Sequence, residues 1–283
     1  MQISAKQCSF RKLRKHELED ALRLFMRSFR RSEDESLYRL TKKHWTDWQT
    51  SHLAVFYGAF FSSKLVGLCL CFAFKTTASL GYMVVDIDNQ HKGIGTSLLG
   101  FILSELEQRG IKTVRLYATK MGEHLYKKFD FHEDCIGSIY EMDFHEEINP
   151  RSLRVRVSNR ILPWVYSLDK AVYGDDRTPL LRFLIKNGQL LVKGRLGFAF
   201  VRKGIVGPIV TKNIPVFIDL LKFAYTKGAR KLYYLTHDNR SRKLIEIIHL
   251  IEKTSMRCNR MVRGEHIKED LKKFYALYNF AIG

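Results

Sequence analysis

No stretch of this chain is apolar for long enough to cross a bilayer. The longest run, residues 65–74, is broken by Gly67 and falls far short of the roughly 20 residues a spanning helix needs. The first fifteen residues carry Lys6, Arg11, Lys12, Arg14 and Lys15 with no apolar core, so a secretory signal is not expected there. Cysteine is scarce too. The five cysteines (8, 69, 71, 135 and 258) are odd in number and form no C-x-x-C pair, and no histidine spacing suits zinc. That argues against a disulfide scaffold or a zinc module. Cys69 and Cys71 alternate with apolar neighbours and read as small buried hydrophobes on one strand face. A cytoplasmic, reduced, metal-free protein is the expectation.

Acidic residues are also few, and unevenly so. Residues 1–147 hold 21 Lys and Arg against 19 Asp and Glu, a net charge of +2. Residues 148–283 hold 27 against 10, a net of +17, which accounts for nearly all of the +19 of the whole chain. A half this basic suits an anionic partner such as nucleic acid, an acidic protein or an anionic metabolite, or else presents a lysine-rich solvated surface. At roughly 100–200 residues per domain, 283 residues make two domains the natural expectation.

Apolar periodicity in the first half alternates between strand and helix, the mark of an α/β fold. A strand over 9–13 precedes a helix over 15–28 with Leu18, Ala21, Leu22, Phe25 and Phe29 on one stripe. Ser32, with Glu35 three residues on, predicts the N-cap of a second helix running to about Trp48. Apolar runs at 53–61 and 65–74, joined by Ser62-Ser63-Lys64, read as a hairpin. A strand at 81–87, a helix at 93–109 ended by Gly110, a strand at 112–117, a short helix at 122–129 and a strand at 136–144 complete the half. The polar segment 146–160 contains Pro150 and has no strong period, so the boundary is drawn between 1–147 and 148–283. The second half repeats part of the first. "GIKTVRLYAT" (110–119) answers to "GARKLYYLTH" (228–237), and "GYMVVD" (81–86) to "VGPIVT" (206–211), in the same order and at similar spacing. That suggests a duplicated α/β unit.

One segment carries chemistry. Gln90-His91-Lys92-Gly93-Ile94-Gly95-Thr96 lies between a predicted strand and a predicted helix. Its two glycines let the backbone turn tightly and let a bulky anion approach the amides. The helix that begins there offers unpaired N–H groups and the positive end of its dipole, which suits a pyrophosphate. By motif alone the pair could also be just a flexible helix entry. It is neither a dinucleotide fingerprint, lacking a third glycine in register, nor a Walker loop.

The strand–loop–helix–strand order around this loop resembles the GNAT acyltransferase family, whose signature Gln/Arg-x-x-Gly-x-Gly/Ala is met by Gln90, Gly93 and Gly95. "YMVVDID" is similar to the family's central strand, and "LYATKMGEHLYKKFDF" (116–131) to its next strand and helix. The resemblance covers about residues 8–145, with Asp130-Phe131 where the family often has Gly-Phe. It implies a mixed central sheet flanked by helices, acetyl-CoA as co-substrate and an amine acceptor. Met83, Val84 and Val85 would pair with the pantetheine arm, and Gln90 to Thr96, His91 and Lys92 included, would hold the pyrophosphate. A backbone N–H near Val84–Val85 would polarise the thioester, and Tyr126 would protonate the leaving thiolate. By spacing alone Tyr126 is a core aromatic beside Leu125 and Phe129.

The second half resembles a subgroup in which an altered, GNAT-like domain follows the first. The matching segments are "LDKAVYGDDRTPLL" (168–181), "RMVRG" (260–264) and the closing "FAIG" (280–283), the last two read as closing strands. Lys212-Asn213-Ile214-Pro215 stands where a phosphate loop should be, so no CoA is expected there. Asp176 and Arg177 are candidates to line the acceptor side, or simply to cap the helix that follows. Glu33, Glu35, His52, Asp86 and Asp176 are candidate bases, none singled out. The contrasting expectation is a nucleic-acid- or ribosome-associated protein working through the basic half, although no helix-turn-helix, zinc-finger, KH or RNP signature is present.

Overall fold

The computed structural model describes the backbone of residues 4–248 and 250–283, with side chains throughout except at 240 and 253–256. The first half contains β1 (Ser9–Lys12), α1 (Leu18–Ser28), α2 (Glu35–Thr50), β2 (Val55–Phe61), β3 (Lys64–Ala73), β4 (Thr77–Val85), α3 (Ile94–Gln108), β5 (Thr113–Ala118), α4 (Glu123–Lys127) and β6 (His132–Met142). The second contains β7 (Arg156–Ser158), α5 (Pro163–Tyr173), α6 (Thr178–Asn187), β8 (Gln189–Lys193), β9 (Gly197–Arg202), β10 (Ile205–Thr211), α7 (Ile214–Thr226), β11 (Lys231–Thr236), α8 (Asn239–Ile247), β12 (Leu250–Gly264) and β13 (Phe274–Leu277).

Local chemistry explains most of these boundaries. The β2–β3 turn takes positive φ at both Ser62 (46°) and Ser63 (68°), the twist that suits a tight hairpin. Along β3, Leu68, Leu70 and Phe72 face one core while Cys69 and Cys71 face the other, the period-2 alternation expected of a strand covered on both sides. α2 begins later than Ser32 predicts. The Asp34 carboxylate accepts from Leu37 N at 2.9 Å and caps the helix, leaving Ser32 outside it. β4 also begins earlier than the apolar pattern suggests, because the polar Thr77-Ala78-Ser79 stretch is paired on both edges.

The strands form one sheet in the order β1-β2-β3-β4-β5-β12-β6-β11-β13-β10-β9-β8-β7. The two halves exchange their long late strands. β12, from the second half, lies between β5 and β6, and β6, from the first, lies between β12 and β11. The segment around the expected boundary at 147 separates β6 from β7, yet the hydrogen-bonded ladder runs across it without a break. Helices α1, α2, α5 and α6 share one continuous apolar core on one face. α3 covers the other face of the first half, and α7 with α8 that of the second.

The repeat read from the sequence holds in detail. Both β4 and β10 carry one extra residue against their neighbours, between Gly81 and Val84 and between Val206 and Ile209, the same place in the aligned segments. "RMVRG" is the end of β12 and pairs with β5 of the other half. "FAIG" is a turn and not a strand. The closing strand is β13, and residues 280–283 fold over β4, where a Cβ on Gly81 would come within 2.7 Å of the Ala281 backbone.

Two of the contacts between the halves flank the shared sheet. Asp175, 4% exposed, accepts from Thr76 N (2.9 Å), Thr77 N (2.8 Å) and Thr77 Oγ1 (2.9 Å) at the start of β4. On the other side, His44 of α2 meets Lys203 of the β9–β10 turn at 3.4 Å. Burial, and then the charges of Arg202, Lys203 and Lys43, push His44 down to about 4. Asp175→Ala strands three backbone N–H groups, those of Thr76, Thr77 and Asp176, and should destabilise the chain by about 3 kcal/mol in urea unfolding; a change within error would remove Asp175 from the join. His44 has a folded pKa below its unfolded one, so its contribution to stability is full above about 6.5 and fades as pH falls toward 4. His44→Gln should therefore lose less stability than the parent between pH 7 and pH 5, and equal losses would contradict this.

Candidate active site

The ladder between β4 and β5 is short. Parallel pairing runs from Thr77↔Thr113 to Leu80↔Leu116 and then stops. Past Leu80, β4 continues along β3 alone, with Leu68 opposite Val84 and Gly67 opposite Val85. The bulge centred on Tyr82, whose φ is 53°, turns the strand away from β5. Met83, Val84 and Val85 therefore lie on a strand that has lost its neighbour on the β5 side, and backbone polar groups there need another partner.

The loop after β4 is held by its own side chains. Asp86 N donates to Val66 O (2.9 Å), Asn89 N to Asp86 O (2.7 Å), and Gln90 Nε2 reaches back to Val85 O (3.2 Å). Lys92 Nζ donates to Asp88 O at 2.7 Å and Asn89 Oδ1 at 3.3 Å. His91 is exposed and left-handed (φ 61°), as is Gly93 (φ 77°). Gly93 is the N-cap of α3 and has no side chain to offer the helix. The first intrahelical bond runs from Ser97 N to Gly93 O (3.0 Å), so the N–H groups of Ile94, Gly95 and Thr96 point out of a 15-residue helix. Ile94 is buried beneath the loop, while Gly95 and Thr96 are half-buried. A Cβ on Gly95 would lie 3.4 Å from Val85 Cγ2 and 3.7 Å from Leu125 Cδ2, so the loop touches both β4 and α4.

Tyr126 is on α4, its ring 5.9 Å from that of Phe131. Burial, and then Cys69 and Cys258, hold its phenol well above the ordinary value, so it stays protonated and can act as a donor. The loop and the parted strand thus meet α4, the helix that carries Tyr126, at Gly95.

Other candidates lie elsewhere. Arg177 faces no open cleft. It is fully buried, its guanidinium on Asp169 (3.0 and 2.6 Å) and on Gly283 O (3.2 Å), 3.9 Å from the Tyr173 ring centre. A buried guanidinium needs such partners, and they make Arg177 part of the core. Asp176, one residue before the N-cap Arg177, accepts through Oδ1 from Thr178 N (2.9 Å), the first N–H of α6. Glu33 and His52 are exposed, and Glu35 pairs with Arg39 at 2.8 Å. Asp86 is 2% exposed and 3.5 Å from Arg27, which also binds Asp88. Asp175 carries no local signal in the sequence, because the Thr76 and Thr77 groups it accepts from lie almost a hundred positions away.

The second copy of the unit is built differently at both places. Its helix α7 is capped by Asn213 Oδ1 accepting from Val216 N (3.0 Å), and Pro215 has no N–H to give. Its parallel strands β10 and β11 pair only at Ile205↔Lys231 and Val206↔Leu232, and β13 then fills the gap between them. Gly207 permits this, since a Cβ there would lie 1.9 Å from Leu277 O.

Among the described residues, no helix is long and apolar enough to cross a membrane. Residues 18–131 match the model of the Acetyltransferase (GNAT) family, and residues 165–276 that of an Acetyltransferase (GNAT) domain. The uncharacterized N-acetyltransferase YitH of Bacillus subtilis is 28% identical over 152 residues, and the match spans about half of each protein (50% of this chain, 52% of YitH). A crystal structure of a Pyrococcus horikoshii protein provisionally called an acetyltransferase is similar over 98% of this chain and 96% of its own, at 26% identity and TM-score 0.86. A GCN5-related N-acetyltransferase from Sphaerobacter thermophilus shares the fold over 93% of this chain and 97% of its own, at 12% identity and TM-score 0.63. With each half matched, the chain belongs to the GNAT family of acyl-CoA-dependent N-acetyltransferases, whose co-substrate is acetyl-CoA, as two GNAT domains in tandem.

Proposed function

We propose that the first half, residues 1–147, holds acetyl-CoA and moves its acetyl group to an amine, and that the second half, residues 148–283, holds none. The observation that carries this reading is the parting of β4 from β5 beside the uncapped start of α3. The amides of Gly93 to Thr96 would take the pyrophosphate, with His91 and Lys92 adding positive charge at its edge. The β5-facing edge of Met83 to Val85 would pair with the pantetheine arm and turn an N–H near Val84–Val85 toward the thioester carbonyl.

Acetyl-CoA supplies an activated acyl group as a thioester. Transfer forms a C–N bond to the amine and breaks the C–S bond. Tyr126 gives its phenolic proton to the departing sulfur and regains one from solvent, and the amine sheds its extra proton. Burial keeps the phenol protonated, so its proton is present when the thiolate departs. The basic second half suits an acceptor that carries negative charge. The comparisons lend no support to the nucleic-acid reading of that half.

Gly93→Val forces a β-branched residue into left-handed backbone, at a cost of about 1–2 kcal/mol to the loop. It should weaken acetyl-CoA binding about tenfold or more in calorimetric titration, and unchanged affinity would overturn the loop assignment. Tyr126→Phe should lower free-thiol release, measured against a panel of amines, by about a hundredfold, with acetyl-CoA affinity unaltered. Unchanged release would remove Tyr126 from the mechanism.

A further inference from the structure

The helix that carries Tyr126 is weak by itself. α4 has five residues, and its N-cap Gly122 provides no side-chain bond. A single turn and a half does not hold its geometry in water without external contacts. Leu125 and Tyr126 supply apolar packing on the core, and the polar contacts form a closed ring of four side chains. Asn259 Nδ2 donates to Glu123 Oε1 (2.9 Å) and to Glu133 Oε2 (3.0 Å). Lys127 Nζ lies 2.7 Å from Glu133 Oε1 and 3.8 Å from Glu123 Oε2. Glu123 and Lys127 bracket Tyr126 on α4, Glu133 belongs to β6, and Asn259 belongs to β12 of the second half.

Asn259 reaches this place only through the strand exchange. It stands opposite Ala118 of β5 on one edge and Ile136 of β6 on the other. Its neighbour Cys258 is one of the groups that hold the Tyr126 phenol protonated. A carboxamide suits the position, because its two N–H groups bridge two carboxylates that would otherwise share one lysine.

We propose that Asn259 is a positioning residue for Tyr126, so that the second half, which has no cofactor slot of its own, completes the acetyl-transfer site of the first. This rests on the reading of Tyr126 as the proton donor. The competing role is a direct acceptor contact, since Asn259 also borders an open cleft of about 530 Å³ with Glu133, Asp134 and Arg242.

The test uses the full chain. Asn259→Ala should let α4 loosen and the Tyr126 phenol meet water, so its titration, read as the phenolate difference spectrum against the same variant carrying Tyr126→Phe, moves down toward the ordinary value. Asn259→Gln, which keeps the carboxamide, should recover at least part of the shift. Acetyl-CoA affinity should stay within twofold. Thiol release with the amine panel should fall about tenfold in kcat, and in the Tyr126→Phe background Asn259→Ala should cost nothing more. An unmoved Tyr126 titration, an additive loss in the double variant, or a change confined to the KM of the amine would overturn the proposal. Failure of the underlying reading looks different: Tyr126→Phe alone would then leave thiol release unchanged.

Discussion

Two parallel strands that begin paired and then part leave a row of backbone donors and acceptors without a neighbour, and the rest of this fold answers that one constraint. The extra residue in β4 turns the strand off β5 after Leu80, and the same extra residue recurs in β10. Buried backbone polar groups must find partners. In the second half the chain supplies them itself, threading β13 between β10 and β11 and giving up the side chain at position 207 to let it fit. In the first half no strand among the described residues enters the gap, and α3 begins beside it with no side-chain cap. The duplicated unit therefore contains its own control: one copy is closed by protein at both places where the other is open.

The strand exchange ties the copies into one object. β12 and β6 pair with each other and with the fifth strand of the opposite half, so the central ladder is long, antiparallel and shared. Asp175 strengthens the join from one face, and the buried Arg177–Asp169 pair braces the second half beside it. Neither is isolated charge: each group meets hydrogen-bonding partners, and removing one member would leave the other uncompensated in an apolar core. The closed copy thus contributes scaffold, and through β12 it reaches the helix that carries Tyr126.

Much of this was legible in the sequence where the governing interaction is local. Alternation along 64–73, the stripe of α3 and the glycine pair at 93 and 95 each follow from a period or a backbone angle. The duplication showed through paired segments of similar text. What was not legible depended on partners distant in the chain. Polar Thr77 and Ser79 look like loop until β5 is beside them. Arg177 looks like surface until Asp169 and Tyr173 enclose it, and "FAIG" looks like a strand until β13 is found to have taken that place. The insertion of β12 between β5 and β6 joins residues more than a hundred positions apart, and no short pattern encodes it.

Amide hydrogen exchange with and without acetyl-CoA tests the central claim most directly, because it reads both copies in one experiment. The account predicts that the cofactor slows exchange at the β5-facing amides of residues 81–85 and at Ile94, Gly95 and Thr96, while β10 and the start of α7 are unchanged. Protection at β10 and α7, or none along β4, would contradict it.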